Sequence, residues 1–414
     1  MVNSKCKIKM LNKSTVYAVL VALTLAGYPF VAAVSSVIGI GSTLPSIVMR
    51  LLILFLGLTL VFWGKYRISN IHPMFFVYII FWILYGFRIY YDTSFDSGSL
   101  SKPLFDYWIW AFGACLIPSL GLLKLKSTQL FEKSITYSFF LLFVASIFAV
   151  KAGSTLVVTV SETYDSGRFR LDSLNPISLG HLGVSLAIIS AWSFTVDKNK
   201  KIIFIAAFFL GIYLAFASAS RGPLLTLFFI GLLAACVAQG VKFIIAIILF
   251  AVFLFSFYQI AISFGDVFGF DTIGRIMLLF EGDDVNVSSR QLAIHGAWNQ
   301  FLSSPFTGSS LEEYVTRMNP HNIIIEAFMS TGFFGGLFLA ILVTYSSYIA
   351  IKNLRQKRSF GWLSLIYFQY LISAQFSGAL YNVPTFWGFL AILIALGALK
   401  KKKNYYGNAS VANV

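Results

Sequence analysis

Apolar residues in this chain fall into long, nearly uninterrupted runs separated by short polar connections. The runs lie at 16–38, 45–63, 73–91, 105–123, 134–151, 176–196, 202–219, 223–239, 243–263, 323–350, 361–380 and 384–399. Each is close to the length that crosses a hydrocarbon core, which takes about twenty residues of helix. Lipid-exposed backbone must satisfy its own hydrogen bonds, and the period-two alternation of a membrane barrel is missing, so the runs predict α-helices. The expected fold class is all-α, a polytopic membrane protein of about twelve transmembrane helices forming a single domain over 1–414. The pairs 202–219/223–239 and 361–380/384–399 read as hairpins with very short connections.

Two connections on one side are long, 152–175 and 264–320, and the second is much the longest. Within it, Ser288 followed by Gln291 has the spacing of a capping box opening a helix. That helix is expected to run to about Leu302 and to stop at Ser303-Ser304-Pro305. Its apolar stripe would be Ile294, Ala297, Trp298 and Phe301, with Arg290 on the same side. An arginine on the buried side of such a helix is costly unless something anionic waits there; the plain alternative is snorkelling to lipid head groups.

Composition supports the membrane reading. Hydrophobic residues make up 58% of the 414 and charged residues 11%, too few to cover a soluble domain of this size. The net charge of +15 needs no nucleic-acid partner. With both termini cytoplasmic, cytoplasmic segments hold 21 of the 31 basic residues and, of the 16 acids, only Glu132 and Asp197, in keeping with the positive-inside rule. A cleaved leader at 16–38 would leave an odd number of spans, so this run is expected to be a retained helix. Inside, 18 of the 21 basic residues are lysines; outside, Arg50, Arg88, Arg168, Arg170, Arg221, Arg275, Arg290 and Arg317 dominate. Topology does not ask for arginine, but bidentate recognition of phosphate or carboxylate does.

Candidate chemistry gathers at that outer boundary. Asn319-Pro320-His321-Asn322 reads as an N-cap and helix start, with His321 in the first turn, where the helix dipole keeps imidazole neutral. A neutral imidazole facing outward is a candidate proton acceptor, although a lone histidine at a membrane boundary is also ordinary polar interface. Glu326 is an intramembrane acid and a candidate by that fact, or a helix-pairing group. Arg221 sits in the tight Ala217–Pro223 link, Arg168 and Arg170 precede a second Asn-Pro start at Asn175-Pro176, and His181 reads as a packed helix contact. Glu281, Asp283 and Asp284 beside Gly282 resemble a solvated loop more than a metal site, and no metal or cofactor is expected. The three cysteines imply no disulfide framework.

Taken together, His321-Asn322 followed by Gly332-Phe333-Phe334-Gly335, Arg221 with Leu225, and Ser289-Arg290 with Ser304-Pro305 and Gly308 resemble the signatures of the bacterial O-antigen ligase and O-antigen polymerase superfamily. The agreement in order and spacing covers roughly 170–340. The resemblance implies a GT-C-like, metal-independent, inverting glycosyl transfer on the periplasmic face of the bacterial inner membrane. The donor would be an oligosaccharide on undecaprenyl pyrophosphate. Arg221, Arg290, Arg168 and Arg170 would bind the pyrophosphate, His321 would take the acceptor proton, and Asn322 and Glu326 would support it. Membrane lipids and a chain-length regulator protein would be partners. The segment Gln375–Tyr381 with Phe386-Trp387 resembles polymerases, so joining of lipid-linked repeat units is favoured over transfer to lipid A core. A polysaccharide flippase is the alternative of another class, though the repeats and broken midplane helices common in transporters are not evident.

Overall fold

The computed structural model describes residues 12–63, 72–125, 127–156, 171, 173–196, 200–238 and 285–407. Its helices are α1 (Lys13–Ile38), α2 (Thr43–Phe62), α3 (Pro73–Phe95), α4 (Leu104–Leu123), α5 (Leu130–Leu156), α6 (Pro176–Val196), α7 (Lys201–Ala217), α8 (Arg221–Ala238), α9 (Val285–Ser303), α10 (Ile323–Arg355), α11 (Trp362–Ser373) and α12 (Pro384–Gly407). Among the described residues no strand forms; Leu171 and Leu174 make an isolated bridge. Among the described residues, seven helices are long and apolar enough to span a membrane, and α7, α8, α11 and the apolar part of α12 are shorter apolar helices. The protein is thus an all-α, multi-pass membrane protein. Eleven of the twelve apolar runs coincide with these helices, and 243–263 lies outside the described residues.

Close approaches hold neighbouring helices together. At Gly183 of α6 an added Cβ would lie 2.4 Å from the Gly211 carbonyl oxygen of α7. Small residues that let two backbones touch are the usual way to gain packing where lipid removes the hydrophobic incentive. The π-helical stretch Ile109–Leu116 interrupts α4. Helix α12 is buried on every side from Phe386 to Leu396, so it is an interior helix with no lipid-facing stripe. Trp387 on it packs 4.8 Å from the Trp82 ring of α3. The outward faces are apolar instead, as at Leu44, Val48, Leu51 and Phe55 of α2.

One run is shorter than its hydropathy predicts. The 361–380 stretch is helical only over Trp362–Ser373, and the chain then runs irregularly to a 3-10 turn at Leu380–Asn382. Gly378, at φ +95°, bends this segment. Its backbone is used by other elements: the Ile323 N–H donates to the Ala374 carbonyl at 3.2 Å, and Glu326 accepts the Leu380 N–H at 3.0 Å. Non-helical backbone at the edge of a membrane protein persists where protein satisfies it in this way.

Contacts between connections show that α1–α2, α3–α4, α9–α10 and α11–α12 turn at the same end as the start of α6. Ser36 near the end of α1 shares a hydrogen bond with Ser173, His181 near the start of α6 bonds Ser373 at the end of α11, Ser101 N–H donates to Glu312, and Asn319 donates to Tyr381. The opposite end carries Lys13 on the Trp63 carbonyl and Trp192 on the Ser359 carbonyl.

Candidate functional site

At the first of these ends, α9, α10, the α3–α4 connection and the 374–382 segment meet around His321. Asn322, not Asn319, caps α10: its side-chain oxygen accepts from Ile324 N–H at 3.1 Å and Ile325 N–H at 3.0 Å. His321 therefore stands just outside the helix and not in its first turn. The reason is local, since His321 adopts φ +53°, a left-handed conformation that cannot continue a helix. Such conformations are uncommon for residues with a side chain and persist where the surroundings enforce them.

The imidazole is neutral for a reason different from the helix dipole alone. Burial is the largest influence, and the charges of Arg290 and Lys102 add to it, bringing His321 down to about 4, against a smaller opposing effect of the Gly378 backbone. Nδ1 of His321 is closed off from solvent and has no hydrogen-bond partner. An unpaired buried nitrogen is costly, and a ligand hydroxyl would remove the cost once the ring turns to expose it.

Arg290 comes from α9. This helix starts at Val285, so Ser288 lies within its first turns and is not its cap. The expected stop holds, with Ser303 last in the helix. The buried side is Ala293, Ala297, Gln300 and Phe301, whereas Trp298 is 45% exposed and lies off the stripe predicted for it. The polar Gln300 displaces it inward because it pins the loop that follows, donating to Ser309 Oγ at 3.1 Å and accepting from Tyr314 N–H at 2.9 Å. Arg290 is half-buried, and its Nη1 donates to the Phe376 carbonyl at 3.2 Å, which sets the guanidinium beside the segment that flanks His321.

Glu326 is fully buried, one turn into α10. Both its carboxylate oxygens lie 3.0 Å from the Leu380 nitrogen, and the Tyr85 hydroxyl donates from 3.5 Å. It fastens the 374–382 segment to α10. Asn319 Nδ2 donates to the Tyr381 hydroxyl at 3.3 Å, and Lys102 donates to the same hydroxyl. Lys102 and its neighbour Glu312 belong to this cluster and are passed over by motif reading, whereas Tyr381 ends the Gln375–Tyr381 segment that resembles polymerases.

Arg221 opens α8, half-buried, where the α7–α8 turn closes on α6; an added Cβ on Gly180 would lie 2.5 Å from Pro223. The next residue of α6, His181, is buried and its Nε2 shares a hydrogen bond of 2.8 Å with Ser373 at the end of α11. Arg221 is thus on the same end as His321 but belongs to the neighbouring helix group. Arg168 and Arg170 lie outside the described residues, as do Glu281, Asp283 and Asp284. Among the described residues, no group of three or more His, Cys, Asp or Glu side chains is set to hold a metal.

Arg88, which the sequence places with the arginines expected on the outer side, has a purely structural setting. Its five donors reach the Ser330, Ser309, Thr307 and Gly308 carbonyls at 2.7–2.9 Å and Asp92 at 3.1 Å. These contacts bolt the loop after α9 onto α3 and onto the interruption of α10 at Gly332.

Residues 206–340 match a family model described as O-antigen ligase. The match runs from α7 to the middle of α10, about a third of the chain, and includes Arg221, Arg290, His321 and the Gly332–Gly335 pattern. It supports the resemblance to the O-antigen polymerase and ligase superfamily. No curated protein and no solved structure matches the chain.

Proposed function

We propose, from the O-antigen ligase match over 206–340, that the protein transfers a glycan from an undecaprenyl pyrophosphate carrier on the periplasmic face of the inner membrane, and that it acts as a polymerase joining lipid-linked repeat units. The observation that carries the reading is His321, a neutral imidazole with an unpaired nitrogen, held beside the cation Arg290. An acceptor sugar hydroxyl attacks the anomeric carbon of the donor and gives its proton to His321. The glycosyl–oxygen bond to the pyrophosphate breaks, and the lipid pyrophosphate departs with both bonding electrons. Attack opposite the leaving group inverts the anomeric carbon. Arg290, with Arg221, neutralises the charge that grows on the pyrophosphate, an interaction stronger in the transition state than before it. Arg168 and Arg170 belong to the same proposed set. Glu326 and Asn322 support it by fixing the backbone on either side of His321.

The periplasmic placement draws on charge. The end away from His321 carries Lys13, Lys124, Lys200, Lys201, Lys352 and Arg355, the pattern expected of a cytoplasmic side. A chain-length regulator protein is the proposed partner of the polymer product. Ligation to lipid A core is the second reading, favoured by the description of the matching family.

The test is glycan elongation by purified protein in lipid nanodiscs. His321→Ala should lose about 10²–10⁴-fold in rate, the usual worth of a general base. It should still bind the lipid-linked donor. Turnover within a few-fold of wild type would remove the base assignment. A gene deletion read on a lipopolysaccharide gel divides the two acceptors: a single added repeat means a lost polymerase, and bare core with accumulated lipid-linked polymer means a lost ligase.

A further inference from the structure

Lys102 is the one lysine brought to this cluster among the described residues, and three elements fix it there. The α3–α4 connection that carries it is tied to the loop before α10 by Glu312, whose oxygens accept the Ser101 N–H at 2.8 Å and the Tyr107 hydroxyl at 2.7 Å. The ammonium then donates to Tyr381, and its Nζ lies 5.0 Å from the centre of the Tyr381 ring. Tyr381 in turn accepts from Asn319, two residues before His321.

The simplest role for such a lysine is to neutralise Glu312, which is fully buried. The geometry does not favour that role. Glu312 has two close donors, whereas Lys102 stands at 4.0 Å, the limit of an ion pair, with 42% of its side chain exposed. A half-exposed ammonium held in place by a tyrosine, and only loosely paired, is arranged to meet an anion from outside.

We infer that Lys102 is a further anion-binding residue of this site, taking a phosphate oxygen of the lipid pyrophosphate from the α3–α4 side while Arg290 approaches from α9. The inference rests on the glycosyl-transfer reading and adds a residue to it. Charged and titratable groups around His321 are Arg290 from α9, Lys102 from the α3–α4 connection, Glu312 and Glu326 on either side of it in sequence, and Tyr381 beyond α11. Of these, Arg290 and Lys102 are the two that disfavour its protonation. Removing the Lys102 charge therefore raises the His321 pKa in the free protein, so the acid limb of kcat/KM moves to higher pH.

Three variants are compared in nanodiscs: Lys102→Gln, Lys102→Arg, and the double variant Lys102→Gln with Glu312→Gln. Inhibition by undecaprenyl pyrophosphate should weaken about 10-fold or more in Lys102→Gln, the usual loss for one charge-assisted hydrogen bond. Its acid limb should shift upward, while Lys102→Arg should keep both the limb and most of the inhibition. The double variant should remain impaired; recovery to wild type would mean that Lys102 only balances Glu312 and would overturn the inference. In the unmodified protein, undecaprenyl pyrophosphate should shield Lys102, and not the exposed Lys357, from an amine-acylating reagent. Equal labelling with and without the lipid would also overturn it, even if Lys102→Gln failed to fold. A wild-type protein that neither elongates glycan nor is inhibited by the lipid would instead sink the underlying function.

Discussion

Two arginines at the end of the molecule that holds His321, Arg88 and Arg290, show what separates a structural side chain from one proposed to do chemistry. Arg88 has every donor occupied by carbonyls and Asp92, at 10% side-chain exposure, so it has nothing left to offer a ligand. Arg88→Ala should therefore act on folding: loss of one partner of a buried pair costs about 3–5 kcal/mol. Thermal unfolding in detergent should show this before any assay does. Arg290 is half-buried at a backbone carbonyl, and its proposed task needs a planar fork. Arg290→Lys should fold like wild type and lose much of its elongation activity, since a point charge cannot reproduce bidentate geometry; full activity would return Arg290 to lipid snorkelling. His321 is the third case. Its left-handed backbone and unpaired nitrogen both oppose stability, so His321→Asn, a residue that tolerates φ +53°, should unfold no earlier than wild type yet be inactive. With His321 held near 4 in the free protein, its neutral form prevails above that pH and is lost below it. On the proposed function, bound pyrophosphate would offset Arg290 and Lys102 and so raise the imidazole pKa. The acid limb of kcat should accordingly lie at higher pH than that of kcat/KM, because the first reports the complex and the second the free enzyme.

Between residue and fold lies the junction of the Pro305–Ser310 loop with α10, which gives the glycine pattern a physical meaning. Gly332 interrupts α10 at φ +69°, and Gly308 takes φ +71°. An added Cβ would lie 2.3 Å from the Phe306 carbonyl oxygen at Gly332 and 2.4 Å from the Ser330 carbonyl at Gly308. The opening lets Phe333 N–H donate to the Pro305 carbonyl and Ser309 N–H to the Met329 carbonyl, both at 2.7 Å. Gly332→Ala should cost about 1–3 kcal/mol for the backbone conformation alone, since φ +69° with ψ −167° is a region almost confined to glycine. Overpacking adds about 1–3 kcal/mol. At Gly41, in the exposed α1–α2 connection, nothing lies within 4 Å of the added Cβ, so Gly41→Ala should leave stability unchanged or raise it by up to about 1 kcal/mol. Equal effects at the two positions, measured by thermal unfolding, would break this account. Helix ends mark where sequence reading succeeds and fails. The Asn175-Pro176 start of α6 is legible because the Asn175 side chain caps it locally, accepting the Ser178 N–H at 2.8 Å. Asn319 and Asn322 have equal capping chemistry, and only tertiary contacts of Asn319 with Tyr381 leave Asn322 to cap. The end of α11 is misread for a like reason: Phe376 and Ala374 are apolar, but their carbonyls serve Arg290 and Ile323. Lys102 and Glu312 are invisible to motif reading because their partners are distant in sequence, at separations of 279 for Lys102–Tyr381 and 205 for Tyr107–Glu312.

At the scale of the whole molecule, hydropathy finds eleven of the described helices because lipid leaves the backbone few alternatives to helix. It does not find α9, which is amphiphilic and lies outside the apolar runs, yet carries Arg290. The distribution of charge favours the proposed orientation, with the lysine-rich end cytoplasmic, and the proposed chemistry depends on it, since a lipid-linked glycan already flipped outward would be available on one face only. The connections bearing His321, Lys102 and Arg221 share one end, and the lysine-rich connections share the other. A chain with Cys6, Cys115 and Cys236 replaced offers a direct test, with single cysteines at Val315, 79% exposed near His321, and at Lys200 between α6 and α7. In intact spheroplasts a membrane-impermeant thiol reagent should label Val315→Cys and leave Lys200→Cys unlabelled until the membrane is opened. Labelling at both positions would point to a leaky preparation, which a cytoplasmic control protein detects. Clean labelling of Lys200→Cys alone would invert the protein in the membrane. His321 would then face the cytoplasm, and an outward-facing polymerase or ligase could not be built from these residues.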